Sequence, residues 1–324
     1  MQKTLSKISL PSLRNNAARV KALLGGAKFF AVVKADAYGH GAEEVANYIE
    51  DLADGFCVAI VEEGIALRVA GIMKPVLVLT PPLDKYDAER ARAYSLIQTV
   101  NSAETAKIIG GAPCHIKVNT GMNRTGCNLN ELGSVLKALP QESVLGVYSH
   151  LFAPENERAA NRQKELFKRA AAAVKAVNPI ATAHLSASGG ILRGGEFLFD
   201  AVRCGILLYG YAPSGFKAEG FERALKVYAR RTQTTKFIGG GVGYNFADKS
   251  YTTLATYRCG YADGFKRTVA LGEKTLCMDA FVGEDKGGLL LVMDDADGYA
   301  KRCGTISYEV LTSVTHRSER IYER

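Results

Sequence analysis

The run Phe29-Phe30-Ala31-Val32-Val33-Lys34-Ala35-Asp36-Ala37-Tyr38-Gly39-His40-Gly41-Ala42 decides how the chain is read. Its opening apolar residues predict a buried strand over 29–33. Lys34 then emerges from a dry, β-branched wall, where desolvation lowers the amine's pKa and makes it a nucleophile suited to a Schiff base. Tyr38 can reach back toward the same point. Gly39 and Gly41 let the chain turn sharply into a helix starting near Ala42. The plain alternative is a solvent-facing lysine at a strand end.

Outward from that strand the same texture repeats. After FFAVVK (29–34) come FCVAI (56–60), VLVLT (76–80), LIQTV (96–100), HIKVN (115–119), VLGVYSHL (144–151), ATAHLSAS (181–188) and VRCGILLYG (202–210), eight β-rich runs in all. Stretches of helical periodicity lie between them, among them 43–52, 62–70, 129–139 and 159–177. Strands covered by helices read as continuous apolar runs, and eight β/α units predict a TIM (β/α)8 barrel over 10–217, with an open doubly wound sheet as runner-up. After Tyr211-Ala212-Pro213-Ser214-Gly215 the texture changes. TTLATYRCG (252–260), TLCMDAFVG (275–283) and GLLLVMD (288–294) follow without comparable helices, which predicts a mostly-β domain over 218–324.

Composition narrows the class. In 324 residues, 47% are hydrophobic and 23% charged, enough for a substantial core in two domains. MQKTLSKISLPSL has no apolar signal-peptide core and no run is long enough for a membrane span, so the expected location is cytoplasmic, with no membrane partner. Seven cysteines without C-x-x-C spacing, mostly inside apolar runs, read as buried free thiols in a reducing compartment. The five histidines are scattered without metal-ligand spacing, so no metal is expected. A net charge of +8 raises the question of nucleic acid. The basic residues are spread out without interleaved aromatics, which predicts a solvated surface that also attracts anionic small molecules.

In a TIM barrel the reactive groups sit at the C-terminal ends of strands. Lys34, Asn119 with Arg124, His150, Ser188 and Arg203 all fall there. Ser188-Gly189-Gly190 and Cys204-Gly205-Ile206, on the last two units, can supply the N–H groups and hydroxyl of a phosphate site. Gly239-Gly240-Gly241-Val242-Gly243 lacks the G-x-G-x-x-G spacing and reads as a tight turn presenting Tyr244.

AVVKADAYGHG closely resembles the lysine motif of the alanine racemase family of pyridoxal-phosphate enzymes. Further motifs follow in the family's order: KVNTGMNRTG (117–126), VRCGI (202–206), GYN (243–245), GYADG (260–264), CMD (277–279) and the segment around Tyr308. The resemblance implies a homodimeric racemase that interconverts L-alanine and D-alanine and supplies D-alanine for a bacterial cell wall. A racemase for serine or another small amino acid, and a non-catalytic pyridoxal-phosphate-binding protein, are the alternatives; the second is disfavoured by the presence of the β domain.

The resemblance also implies roles. Lys34 carries pyridoxal 5'-phosphate as a Schiff base, and Tyr244 is the opposed acid/base residue. Tyr38, Arg124, His150, Ser188, Arg203, Gly205, Ile206 and Tyr308 contact the cofactor. Arg203 lies against the pyridine nitrogen. Arg124, Met278 and Tyr261 contact substrate, while Lys117, His184 and Asp279 support these groups from behind. Tyr244, Tyr261 and Met278 come from the partner subunit, so that active sites are shared. The first strand, over 2–10, joins the C-terminal domain. Two positions depart from the family pattern: Asn119 replaces an aspartate, and Ala187 replaces an asparagine common ahead of the serine.

Overall fold

The computed structural model describes residues 4–247, 251–266 and 276–324. The expected runs over 2–10 and 275–283 therefore begin outside the described residues. Two compact units result: Leu13–Ala37 with Ala42–Glu222, and Met1–Ser12 with Tyr38–Gly41 and Arg223–Arg324.

Strand β1 (Leu5–Ser9) belongs to the second unit. Strands β2 (Lys28–Val32), β3 (Gly55–Val58), β4 (Val76–Val78), β5 (Gln98–Val100), β6 (Cys114–Lys117), β7 (Val144–Tyr148), β8 (Thr182–His184) and β9 (Ala201–Cys204) build the first unit. They run parallel in two ladders, β4-β3-β2-β9 and β5-β6-β7-β8. Two seams close the ring. Val78 N–H donates to Ile97 O (2.9 Å) and Ile97 N–H to Val76 O (2.8 Å); on the other side Asp200 N–H donates to Ala183 O (3.0 Å) and Arg203 N–H to Ser186 O (2.9 Å). This is the TIM barrel that the eight apolar runs predict. Seven of the eight strands stop short of their apolar run, β5 ending with its run at Val100, because the C-terminal residues of those runs leave the ladder to form the loops over the barrel mouth.

The outer helices follow from periodicity and capping. The longest, Glu157–Val177, opens at Asn156, whose side chain accepts the Ala159 N–H at 2.9 Å. It buries Ala160, Gln163, Phe167, Ala170, Ala171 and Val174, a stripe at the i, i+3, i+4, i+7 spacing. The helix expected over 129–139 is shorter, Leu132–Lys137, because Asn128 and Glu131 close a turn in front of it.

The second unit has a six-stranded sheet. Its strands are β10 (Leu225–Lys236), β13 (Thr253–Arg258), β14 (Phe281–Gly283), β15 (Leu289–Met293) and β16 (Glu319–Glu323) in order β14-β13-β10-β1-β16, with β15 also on β10. β1 lies between β10, antiparallel, and β16, parallel. A separate hairpin pairs β11 (Gly241–Val242) with β12 (Asn245–Phe246). Two helices, Ala296–Cys303 and Ser307–Val314, follow the last of the expected β runs, in a stretch for which the sequence predicts no element. The first carries a readable signal: the Asp295 carboxylate caps the Gly298 N–H at 3.0 Å.

The segment after Lys34 is not a strand end but a left-handed turn. Ala35, Asp36, Ala37 and Tyr38 all have φ of 52–53°. L-residues resist this conformation by about 1–2 kcal/mol each, so it persists only where other contacts hold it. Ala37 N–H donates to Val33 O at 2.8 Å, the Glu63 carboxylate takes the Ala35 N–H (2.7 Å) and the Ala59 N–H (2.6 Å), and Asp36 takes the Ala42 N–H (2.8 Å). Gly39 then passes so close to Leu311 O and the Thr315 hydroxyl that a Cβ would collide with both.

Candidate active site

Within the barrel, alternation along parallel strands sends every second side chain inward. Lys117, Tyr148 and His184 are register neighbours on β6, β7 and β8. Their side chains join Phe30, Thr99, His115 and Arg203 in a polar layer below the mouth. Tyr148 is its platform. His184 stacks on the ring at 5.0 Å and 10°, the Arg203 guanidinium lies 4.9 Å from its centre and Lys117 Nζ 5.4 Å. Its hydroxyl reaches Thr99 Oγ1 (2.8 Å) and Leu79 O (3.1 Å). Burial drives the phenol's pKa up.

Arg203 is 3% exposed and held from three sides. Nη1 donates to His184 Nδ1 (2.7 Å) and His184 O (2.8 Å); Nη2 donates to Ser149 O (2.6 Å) and Leu185 O (3.1 Å). A guanidinium has five N–H donors, so four are engaged and Nε–H is the one left for another group. Burial lowers the arginine's pKa, yet a guanidinium remains charged in any accessible range.

Lys34 is half-buried, and among the described residues its amine makes no hydrogen bond or ion pair. Burial first, then the charges of Arg124 and Arg203, hold its pKa below the ordinary lysine range, with Glu63 and the Cys57 thiol opposing. Lys117 is pushed down to about 7 by burial, then by Arg124, Arg203 and Lys34. His150 is held well below the usual imidazole range by burial and by the same four cations. It is therefore neutral.

A directed chain of hydroxyls and amides steadies the loops around these groups. Gln163 Nε2 donates to Thr120 Oγ1 (3.0 Å) and His150 O (2.9 Å), and its Oε1 accepts from Phe152 N–H (3.0 Å). Thr120 Oγ1 and Ser149 Oγ are 2.7 Å apart, and Ser149 Oγ donates to Val118 O at 2.7 Å. Asn119 organises the loop to Arg124: its Oδ1 accepts from the N–H groups of Gly121 and Asn123 (both 3.1 Å), and its Nδ2 donates to Asn123 Oδ1 (2.9 Å). The two donors of the amide are what an aspartate would lack.

Ser188 opens the short helix Ser188–Arg193 behind Ala187, which makes no side-chain cap. Its Oγ accepts from Leu207 N–H (3.3 Å) and lies 3.9 Å from Cys204 Sγ, so Ser188 stands beside the Gly205-Ile206 turn. Gly189 and Gly190 are glycines for packing as well, since a Cβ would strike Pro154 at the first and the Ser186 side chain at the second.

The remaining sequence-derived residues lie in the other unit. Tyr38 and Tyr308 are ring neighbours, 5.9 Å apart at 52°, with Tyr308 in the first turn of Ser307–Val314. Tyr244 forms the tip of the β11–β12 hairpin with Gly243 and is 79% exposed. Tyr261 and Met278 are brought together by backbone bonds, Tyr261 N–H to Cys277 O (3.1 Å) and Ala262 N–H to Met278 O (2.9 Å). Asp279 pairs with Arg317 (3.1 Å), and Arg258 donates to its carbonyl (2.6 Å). Asp263, almost fully buried, holds Gly260 N–H (2.9 Å) and Arg258 (3.4 Å) in the same cluster.

The profile of the alanine racemase N-terminal domain matches residues 8–213. The chain belongs to the alanine racemase family. An alanine racemase of Clostridium perfringens is 31% identical, covering 98% of this chain and 95% of its own. Among solved structures, an alanine racemase of Clostridium difficile superposes with a TM-score of 0.88 at 30% identity, covering 100% of this chain and 96% of its own. One from Bartonella henselae, with covalently bound pyridoxal phosphate, gives 0.83 at 26% identity and covers 99% of each chain. As in those relatives, the racemase fold here pairs a TIM barrel with a β domain.

Reading the sequence missed Tyr148, His115, Glu63 and Gln163. His115 had a usable signal: it stands two residues before Lys117 on one strand, so both face the barrel interior. Tyr148 stood inside an apolar run, and nothing local marks Glu63 or Gln163.

Proposed function

We propose that this chain is a pyridoxal-phosphate-dependent racemase that interconverts L-alanine and D-alanine, with Lys34 and Tyr244 as opposed acid/base residues. The observation that supports this most is the group Lys34, Lys117, Arg124 and Arg203. These four cationic side chains influence one another, and none has an ion pair among the described residues. Arg203 and Lys117 are buried and Lys34 half-buried, with exposed Arg124 beside them, and a buried cation is costly unless an anion joins it. A cofactor with a phosphate and a phenolate, together with an amino-acid carboxylate, has the matching charge. The donor set fits it: a nucleophilic amine on Lys34, the spare Nε–H of Arg203, and the hydroxyl of Ser188 beside the Gly205-Ile206 turn.

When bound, the cofactor draws electron density from the amino acid's Cα–H bond, so that this proton can be removed. Lys34 would hold it through Nζ. Arg203, permanently charged, would keep the ring nitrogen unprotonated and so weaken that electron withdrawal, which would favour plain proton removal and return over side reactions. His150 would pack against the ring. Ser188, Gly205, Ile206, Tyr38 and Tyr308 would hold the phosphate, Arg124 would take the phenolic oxygen and the substrate carboxylate, and Lys117, His184 and Asp279 would support these groups.

Inversion needs one base on each face of Cα. In this reading Lys34 serves one face, and Tyr244 of the partner subunit serves the other, with Tyr261 and Met278 of the partner subunit lining the substrate. The active form is then a homodimer with shared sites, working in the cytoplasm, built from a barrel over 10–217 and a β domain over 218–324 with the first strand. Among the described residues no helix is long and apolar enough to cross a membrane.

Borohydride reduction followed by peptide mapping tests the assignment. The expected result is a reduced pyridoxyl group on Lys34, with loss of both label and racemisation in Lys34→Ala. A fully active Lys34→Ala enzyme would overturn it.

A further inference from the structure

His115 contacts His184 from two strands away. On β6 it is in register with Gly146 of β7, and Gly146 with Thr182 of β8. The imidazole leans across the gap: a Cβ on Gly146 would lie 2.8 Å from His115 Cε1, 2.9 Å from its Nδ1 and 2.6 Å from Thr182 O. Gly146 does not have a positive φ, so glycine supplies room at this position and not backbone freedom. Phe30 packs on both imidazoles, 6.5 Å from His115 and 5.9 Å from His184. The result is 2.7 Å between His115 Nδ1 and His184 Nε2.

The direction of this bond follows from Arg203. A guanidinium can only donate, so His184 Nδ1, 2.7 Å from Nη1, carries a lone pair. A neutral His184 then bears its proton on Nε2 and donates it to His115 Nδ1, and a neutral His115 carries its own proton on Nε2. Burial drives both rings toward the neutral form, His115 down to about 3.

We propose that His115 is a positioning residue for Arg203. By accepting the His184 Nε2–H it fixes the ring plane and tautomer that present Nδ1 to the guanidinium, and so holds Nε–H as the donor toward the cofactor's ring nitrogen. This rests on the function proposed above.

The test begins with [15N]histidine NMR of the holoenzyme, with signals assigned by single substitutions. Unprotonated Nδ1 and protonated Nε2 are expected for both residues; a protonated Nδ1 on His184 overturns the proposal. In His115→Leu, kcat in both directions is expected to fall about tenfold, the low end for lost support behind a reacting group, with KM for alanine little changed and the cofactor absorbance band shifted. His115→Asn offers Oδ1 in place of Nδ1 and should restore the band and most of kcat. If both variants lower the melting temperature alike while kcat and the band stay at wild-type values, His115 is structural only and the proposal fails. A wild-type enzyme that neither binds pyridoxal phosphate nor racemises alanine would instead defeat the proposed function, and the tautomer measurement would still decide whether His115 orients His184.

Discussion

The Arg203 guanidinium lies 4.9 Å from the centre of the Tyr148 ring, so the most deeply buried cation of the barrel rests on an aromatic face. That ring is shared with His184 and Lys117, and an attraction between cation and π-face offsets part of the cost of burying the charge. The Tyr148 hydroxyl serves a different purpose, tying β7 to Thr99 and Leu79. Tyr148→Phe should therefore lower stability by about 1 kcal/mol, the usual size of a lost buried hydrogen bond, with cofactor affinity nearly unchanged. Tyr148→Leu removes the platform itself and should weaken cofactor binding as well. Chemical denaturation and titration of apoenzyme with pyridoxal phosphate separate the two effects.

Acid should destabilise the barrel before its carboxylates titrate. His115 is held down to about 3, and His150 and His184 well below the ordinary value, all chiefly by burial. In the unfolded chain each titrates near 6.5. Below that pH the unfolded chain binds protons that the folded chain refuses, so the contribution of these rings is complete above about pH 6.5 and stability falls as the pH drops, by up to about 1.4 kcal/mol per unit for each ring. Lys117 extends the same trend upward. Held at about 7 when folded and near 10.4 when unfolded, it makes stability rise between those values. Urea midpoints should climb from pH 5 to about 8, beyond which buried thiols such as Cys57 and Cys114, pushed up to about 12 by burial, oppose the trend because the unfolded chain loses their protons above about 8.5. Lys117→Met should flatten the climb above about pH 7.

Tyr244→Phe should leave the fold intact, because the side chain is 79% exposed in the single chain. Loss of an acid/base group costs about 10²–10⁴-fold, and interconversion should fall by that order. In D₂O one enantiomer should still exchange its Cα hydrogen, through Lys34, while the other does not. Equal retention of racemisation and exchange would remove the tyrosine from the mechanism.

The turn after Lys34 stores strain that a substitution can release. Ala35 has φ of 52° and an exposed side chain. Its backbone N–H, the group bound by Glu63, would survive replacement by glycine. Relief of about 1–2 kcal/mol of left-handed strain exceeds the added entropy of glycine, about 0.5–1 kcal/mol. Ala35→Gly should thus raise stability by about 0.5–1 kcal/mol, the difference of those two terms. Glu63→Ala should lower stability and disturb the position of Lys34, visible as a lower yield of borohydride-trapped lysine.

Legibility followed the range of the interactions. Lys34 could be picked out because a strand, a lysine and two glycines within a dozen residues carry its chemistry. The eight barrel strands were readable because helices bury them, leaving apolar runs that need no partner to be recognised. The Ala296–Cys303 helix was missed although its cap is local, because the glycines and polar residues around it look like turns.

Strand and helix order, the lysine proposed as nucleophile and the family to which the motifs belong were legible in the chain alone, since these are written in near neighbours and in periodicity. The surroundings of Arg203 and the direction in which the histidines donate depend on the folded barrel. His115 and His184 are 69 residues apart in the chain, and Arg203 and Ser149 are 54 apart. Barrel closure brings them together, and a hydrogen bond's direction depends on the partner found there.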